Sequence, residues 1–154
     1  MTAEQTLKIP TNLAAERVVL GALIEDDGLL PEVLDVGLSA EDFLLSDHQR
    51  VFRAVLALRE KHCPVDYITV AEELGNQNAD YVLIASLVHG VVVHENHVLH
   101  HVQIVRRKAR LRALLKLGEW ISTAVTEGSE PDQVVAEIAR MANKCRMKCG
   151  QNDD

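Results

Sequence analysis

The run NHVLHHVQIVRRKARLRALLKLGEWISTAVT (residues 96–126) contains no proline, and its one glycine, Gly118, comes late. Strong helix formers fill RRKARLRALLKL (106–117), so the stretch reads as one long helix. Gly118 costs about 1 kcal/mol against alanine at such a position but need not end the helix. EGSEP (127–131) then reads as a turn, with Pro131 at a first helical position that has no use for its missing N–H. Val134, Val135, Ile138 and Met141 carry a last helix over 131–147. Two helices on a tight connection form an antiparallel hairpin. Such a hairpin buries too little apolar surface alone and has to dock on the rest of the chain or on another chain.

Upstream of position 96 the elements are shorter. Asn12 opens a helix over 13–25, with Leu13, Val18–Leu20 and Leu23–Ile24 at helical spacing, and Glu25-Asp26-Asp27-Gly28 ends it. A short helix near 29–36 stops at Gly37. Ser39 and Asp42 have capping-box spacing for a single turn, and Ser46 is placed to cap a helix over 47–61. Pro64 and Asp66 precede a helix over 68–74 ended by Gly75, NQN (76–78) reads as a loop, and 79–88 as an apolar helix ended by His89-Gly90. No stretch alternates convincingly as a strand. The expectation is an all-α fold. A helical head of five or six short helices over 1–94, loose over 1–9, leads into a hairpin over 95–147 and a disordered tail over 148–154.

Composition fits that reading. Hydrophobic residues reach 47% while aromatics are 3%, so aliphatic side chains do nearly all the packing. No basic segment followed by an apolar run opens the chain, and no uncharged run is long enough to span a bilayer, so a cytoplasmic protein is expected. The net charge of −7 is unevenly placed. Residues 1–100 carry 6 cations against 16 anions, and residues 101–154 carry 10 against 7. An acidic head disfavours broad binding to nucleic acid, because phosphate attraction needs the opposite sign.

The histidines of VHENHVLHH (93–101) raise the question of a metal. HENH is not HExxH, but His97 and His101 have i, i+4 spacing on the flank of the apolar face. His94 precedes Asn96, the expected cap of the long helix. Zinc needs at least one further ligand, and no cysteine lies near in sequence. Imidazoles packing at the start of a helix are the plainer reading. Cys145 and Cys149, also i, i+4, lie among Lys144, Arg146 and Lys148, a setting that lowers a thiol pKa. Three cysteines at uninformative spacing give no disulfide framework. A small metal- or redox-responsive regulator using His97, His101, Cys145 and Cys149 is the rival to an assembly role.

No Walker A loop, GxGxxG, GxSxG or CxxC occurs, so no catalytic residue and no cofactor is assigned. The basic run Arg106, Arg107, Lys108, Arg110, Arg112, Lys116 winds around the helix and forms no clean stripe. Arg112 and Lys116 fall on the apolar arc, where a lone cation calls for a carboxylate partner. Docking on the acidic head or on a neighbouring chain supplies one. Direct DNA binding is the weaker reading.

The ordered segments IPTNLAAERVVLGALIED (9–26), DFLLSDHQRVFRAVLALREKHCPVDYITVAEEL (42–74) and ENHVLHHVQIVRRKARLRALL (95–115) resemble the N-terminal domain of DnaB-type replicative DNA helicases. The resemblance runs from about residue 9 to 126. It rests on Pro10, Ala15, Glu16, Leu20 and Gly21; on Asp42, Phe43, His48 and Phe52; on Pro64, Val65, Asp66, Thr69 and Val70; and on Asn96, Ile104, Val105 and Arg112. Here His101 and Val102 stand where the family has an aromatic and an alanine, and Cys63 where a glycine is common. The tail KCRMKCGQNDD (144–154) does not resemble the linker that leads to the family's ATPase domain.

The resemblance implies a helical head with a hairpin, no catalysis within this region, and a place in the primosome. It implies self-association as a dimer or trimer of dimers, and contact with primase, helicase or a helicase loader. Ile104, Val105, Lys108, Arg112, Leu115, Lys116, Val134 and Ile138 are the candidate interface residues on the hairpin.

Overall fold

The computed structural model describes residues 8–147, so residues 1–7 of the expected loose start over 1–9, and the tail with Cys149, lie outside the described residues. Those residues form seven α-helices and two single turns of 3-10 helix, with no strand among them. The helices are α1 (Leu13–Glu25), α2 (Leu30–Asp35), α3 (Ser46–Glu60), α4 (Tyr67–Leu74), α5 (Asn78–Val88), α6 (Glu95–Thr126) and α7 (Pro131–Met147). The all-α head and hairpin are as the sequence predicts.

Local chemistry sets most boundaries. Asn12 Oδ1 accepts from the Ala15 N–H at 2.9 Å and starts α1. Asp42 Oδ2 accepts from the Ser39 N–H at 2.9 Å and closes the single turn over Ala40–Asp42. Asp66 Oδ1 accepts from the N–H groups of Ile68 and Thr69 at 2.8 and 2.9 Å and starts α4. Three expected helix starts shift. Ser46 is the first helical residue of α3, behind an extended Leu45 that offers no side-chain cap. Asn78 already belongs to α5, because the Asp80 carboxylate accepts from the Gln77 N–H at 3.1 Å and so moves the cap to Gln77. The cap of the long helix lies two residues before the expected Asn96, at His94, and the helix starts at Glu95.

α1 is the centre of the head and packs against α3, α4, α5 and α6. Its Val19, Leu20, Ala22 and Leu23 are fully buried. Gly21 is needed there: a Cβ would lie 2.2 Å from the Leu87 carbonyl oxygen on α5. Phe43, Val51, Phe52, Val55, Val70, Ile84 and Leu87 complete the same core.

That core does not stop at residue 94. Val98, Val102 and Val105, at i, i+4, i+7 on α6, belong to it. The first third of α6 is therefore a core helix of the head, and only its remainder projects to pair with α7. Leu117, Ala124 and Val134 are the buried apolar positions of that projecting hairpin. No described helix is long and apolar enough to cross a membrane.

Candidate interaction surface of the hairpin

Two arginines of α6 tie the long helix to the head. Arg106 Nη1 donates to the Val36 carbonyl at the end of α2, and its guanidinium lies against Gly37, whose φ of +91° sets the turn. Arg112 donates to two carbonyl oxygens, Pro10 at 2.9 Å and Asp42 at 2.7 Å. The expected carboxylate partner of Arg112 is thus replaced by backbone, whose orphan carbonyls gain charged donors. Lys116, the other cation of the apolar arc, is exposed and meets no such demand.

A second polar contact lies inside the head. Glu16 and His48 are 2% and 4% exposed, and Glu16 Oε2 lies 2.6 Å from His48 Nδ1. The other Glu16 oxygen accepts from the Leu44 N–H at 2.8 Å. Pro10, Glu16, Asp42, His48 and Arg112, scattered through the sequence pattern, form two adjoining knots that hold the loop over 42–45 against α1, α3 and α6. Their chemistry is structural. Arg112 also lines two small clefts, of about 280 and 160 Å³, each shared with Glu41 and Lys116.

The candidate interface residues divide when placed on the hairpin. Val105 and Val134 are buried at 1% and 7%, and Arg112 is spent on its two carbonyls, so these three serve the protomer's own packing. Ile104, Lys108, Leu115 and Ile138 are half-buried, and Lys116 is exposed. Leu115 lines a shallow groove of about 800 Å³ with Pro10, Leu111, Leu114, Gly118 and Ser122, and with Lys8 and Glu119. Leu111 and Leu114 are 39% and 50% exposed, and Val125 follows on the same stripe at 64%. Residues 111, 114, 118 and 125 fall within one face of a 3.6-residue helix. This ridge was readable from the spacing, but the basic residues threaded through it obscured it.

On the other side, between α6 and α7, a groove of about 370 Å³ is lined by Leu117, Trp120 and Met141 together with Lys116, Arg140 and Lys144. Arg140 Nε donates to Glu137 Oε2 at 2.9 Å, and this hydrogen bond holds the Glu137 carboxyl below the usual carboxylate range.

The histidines do not gather into a site. His101 Nδ1 lies 2.6 Å from the His97 carbonyl oxygen, which commits that nitrogen to the helix backbone. His94 stacks edge-on against His97, and His100 against His101. No group of three His, Cys, Asp or Glu side chains able to hold a metal occurs among the described residues. Cys145 is half-buried beside Lys116, and Cys149 lies outside the described residues.

A family model for the DnaB-like helicase N terminal domain matches residues 8–107. The replicative DNA helicase DnaB of Treponema pallidum is 34% identical over 145 residues, covering 90% of this chain and 33% of the relative. The corresponding protein of Rhodothermus marinus is 32% identical over 143 residues, covering 87% and 15%. The replicative DNA helicase DnaC of Bacillus subtilis is 28% identical, covering 92% and 31%. The chain thus spans a third or less of the length of these relatives. Among solved structures, the crystal structure of the N-terminal domain of DnaB helicase from Mycobacterium tuberculosis matches with a TM-score of 0.77 at 27% identity. It covers 89% of this chain and 99% of that one.

Proposed function

Because the chain belongs to the DnaB-like helicase N-terminal domain family, we propose that it is a non-catalytic assembly domain of the DNA replication machinery. It self-associates through its hairpin, as a dimer or a trimer of dimers, and contacts primase, helicase or a helicase loader in the cytoplasm. Helicase activity is named for the full-length relatives, most of whose length has no counterpart in this chain.

The observation that carries the reading is the exposed ridge of Leu111, Leu114, Gly118 and Val125 on the part of α6 that projects from the head. Apolar side chains in a continuous stripe mark an association surface more often than scattered ones do. At 32 residues α6 is about 48 Å long. Its first third is taken up by the head core, which leaves roughly 30 Å of projecting helix for a partner. Gly118 has open space where a Cβ would stand, so a second backbone can approach closely.

Light scattering of the purified chain tests this, first alone and then with the helicase-binding domain of the cognate primase. The expected result is a dimer or hexamer that becomes heavier when primase is added. A monomer at all concentrations that ignores primase would remove the assembly role.

A further inference from the structure

From the chemistry of the groove between α6 and α7 we infer a second docking site, for an acidic peptide segment that carries an apolar anchor residue. Leu117 is buried and Trp120 and Met141 half-buried, so they form an apolar floor; Lys116, Arg140 and Lys144 are exposed and form a cationic rim. Arg140 is already engaged by Glu137. Lys116 and Lys144 have no carboxylate partner among the described residues, and both face a space of about 370 Å³. An occupant that covers the floor has to bring anions to those two ammonium groups.

Charge also selects between occupants. A second copy's hairpin is itself net basic, since residues 101–154 carry 10 cations against 7 anions, and would set like charges together over this groove. The ridge of Leu111, Leu114 and Gly118 borders a groove lined by one cation and one anion, Lys8 and Glu119, and not by a cationic rim. The two faces therefore take different partners: a second hairpin on the ridge, an acidic segment in the groove. A nucleic-acid strand satisfies the lysines but leaves the aliphatic floor of Leu117 and Met141 without a matching side chain.

Trp120 is the chain's one tryptophan, so its fluorescence reports on the floor directly. The full chain is titrated with a short fluorescent peptide of Asp and Glu around a central Leu-Phe pair. A peptide with Lys in place of the acids and an oligo-dT strand are run in parallel. Expected is saturable binding of the acidic peptide alone, with a Kd of about 10–100 μM and a shift in Trp120 emission. Binding should weaken several-fold as salt rises. The double variant K116E/K144E weakens it at least tenfold, by about 1.4 kcal/mol, and K116Q/K144Q weakens it less. Unchanged helicity in both variants shows that they fold.

Absent binding, binding indifferent to the charge reversal, or tighter binding of oligo-dT would each overturn the site. Light scattering on the same samples keeps this outcome separate from self-association. A peptide that splits oligomers would show the groove to be part of the self-interface and would also overturn it. A monomeric chain that still binds the peptide would count against the hairpin dimer only.

Discussion

Glu16 and His48 stand 32 positions apart and meet at 2.6 Å with both side chains buried. Glu16→Ala leaves the ring nitrogen and the Leu44 N–H without an acceptor. A buried polar group left without its partner costs about 1–3 kcal/mol, and the urea midpoint of unfolding is expected to fall accordingly. Glu16→Gln keeps an acceptor for one donor and is expected to lose less. Equal, small losses for both variants would show the pair to be dispensable. Asp66 shows the opposite, exposed case. Its carboxyl is held below its usual value chiefly by the Thr69 N–H, against desolvation that raises it, with the Ile68 N–H and the Thr69 hydroxyl adding to the lowering. A folded pKa below the unfolded one stabilises the fold above the unfolded value, and that contribution is lost as pH falls through the folded one. Asp66→Ala is expected to cost about 1 kcal/mol at neutral pH. The gap to the unaltered chain should narrow as thermal melts are repeated into the acid range below the ordinary carboxylate pKa. A constant gap would assign the cap's worth to geometry rather than charge.

At the scale of the element, α6 does three jobs along one helix: core packing over Val98–Val105, arginine tethers at Arg106 and Arg112, and a projecting face beyond. Leu114→Glu is expected to leave the circular dichroism spectrum unchanged and to weaken self-association at least tenfold, about 1.4 kcal/mol, by light scattering across a dilution series. Gly118→Ala is expected to raise the protomer's own stability by about 0.5–1 kcal/mol, since nothing lies within 4 Å of the added Cβ. If association also tightened, close backbone approach at Gly118 would be ruled out. Helix positions were legible in the sequence because each start and stop has a local cause: Asn12, Asp66, Gly37, Gly75, Pro131. Caps slipped where the deciding group was a neighbour, as when Asp80 reaches back to Gln77 and claims Asn78 for α5. The tethers were not legible at all. A helical wheel places Arg112 on an apolar arc and demands a carboxylate, but it cannot see that the carbonyls of Pro10 and Asp42 end there. The pattern of Pro10, Glu16, Asp42, His48 and Arg112 was visible as a family signature before its physical reason was. Those residues meet one another or one another's loops, which gives the pattern a cause in packing.

For the whole molecule the question is where the head ends. A division at residue 94 follows the change in sequence character, yet the apolar core runs across it: Val98 and Val102 are fully buried and Val105 is 1% exposed. Removing three buried valines takes away several kcal/mol of burial, at about 1.5–3 kcal/mol each. That is a large share of the 5–15 kcal/mol that holds a domain of this size. It also uncovers the face of α1 that α6 covers. A chain cut after residue 94 is therefore expected to show no cooperative thermal transition and to bind a hydrophobic dye. A chain cut after Thr126 keeps the three valines and both arginine tethers, and loses only α7, which packs chiefly on α6. It is expected to melt cooperatively, at a lower temperature, with Leu117 and Trp120 uncovered and a tendency to aggregate. A cooperative melt from the shorter chain would show that the head folds without α6. A failure of the longer one would show instead that the hairpin is part of the same folding unit as the head.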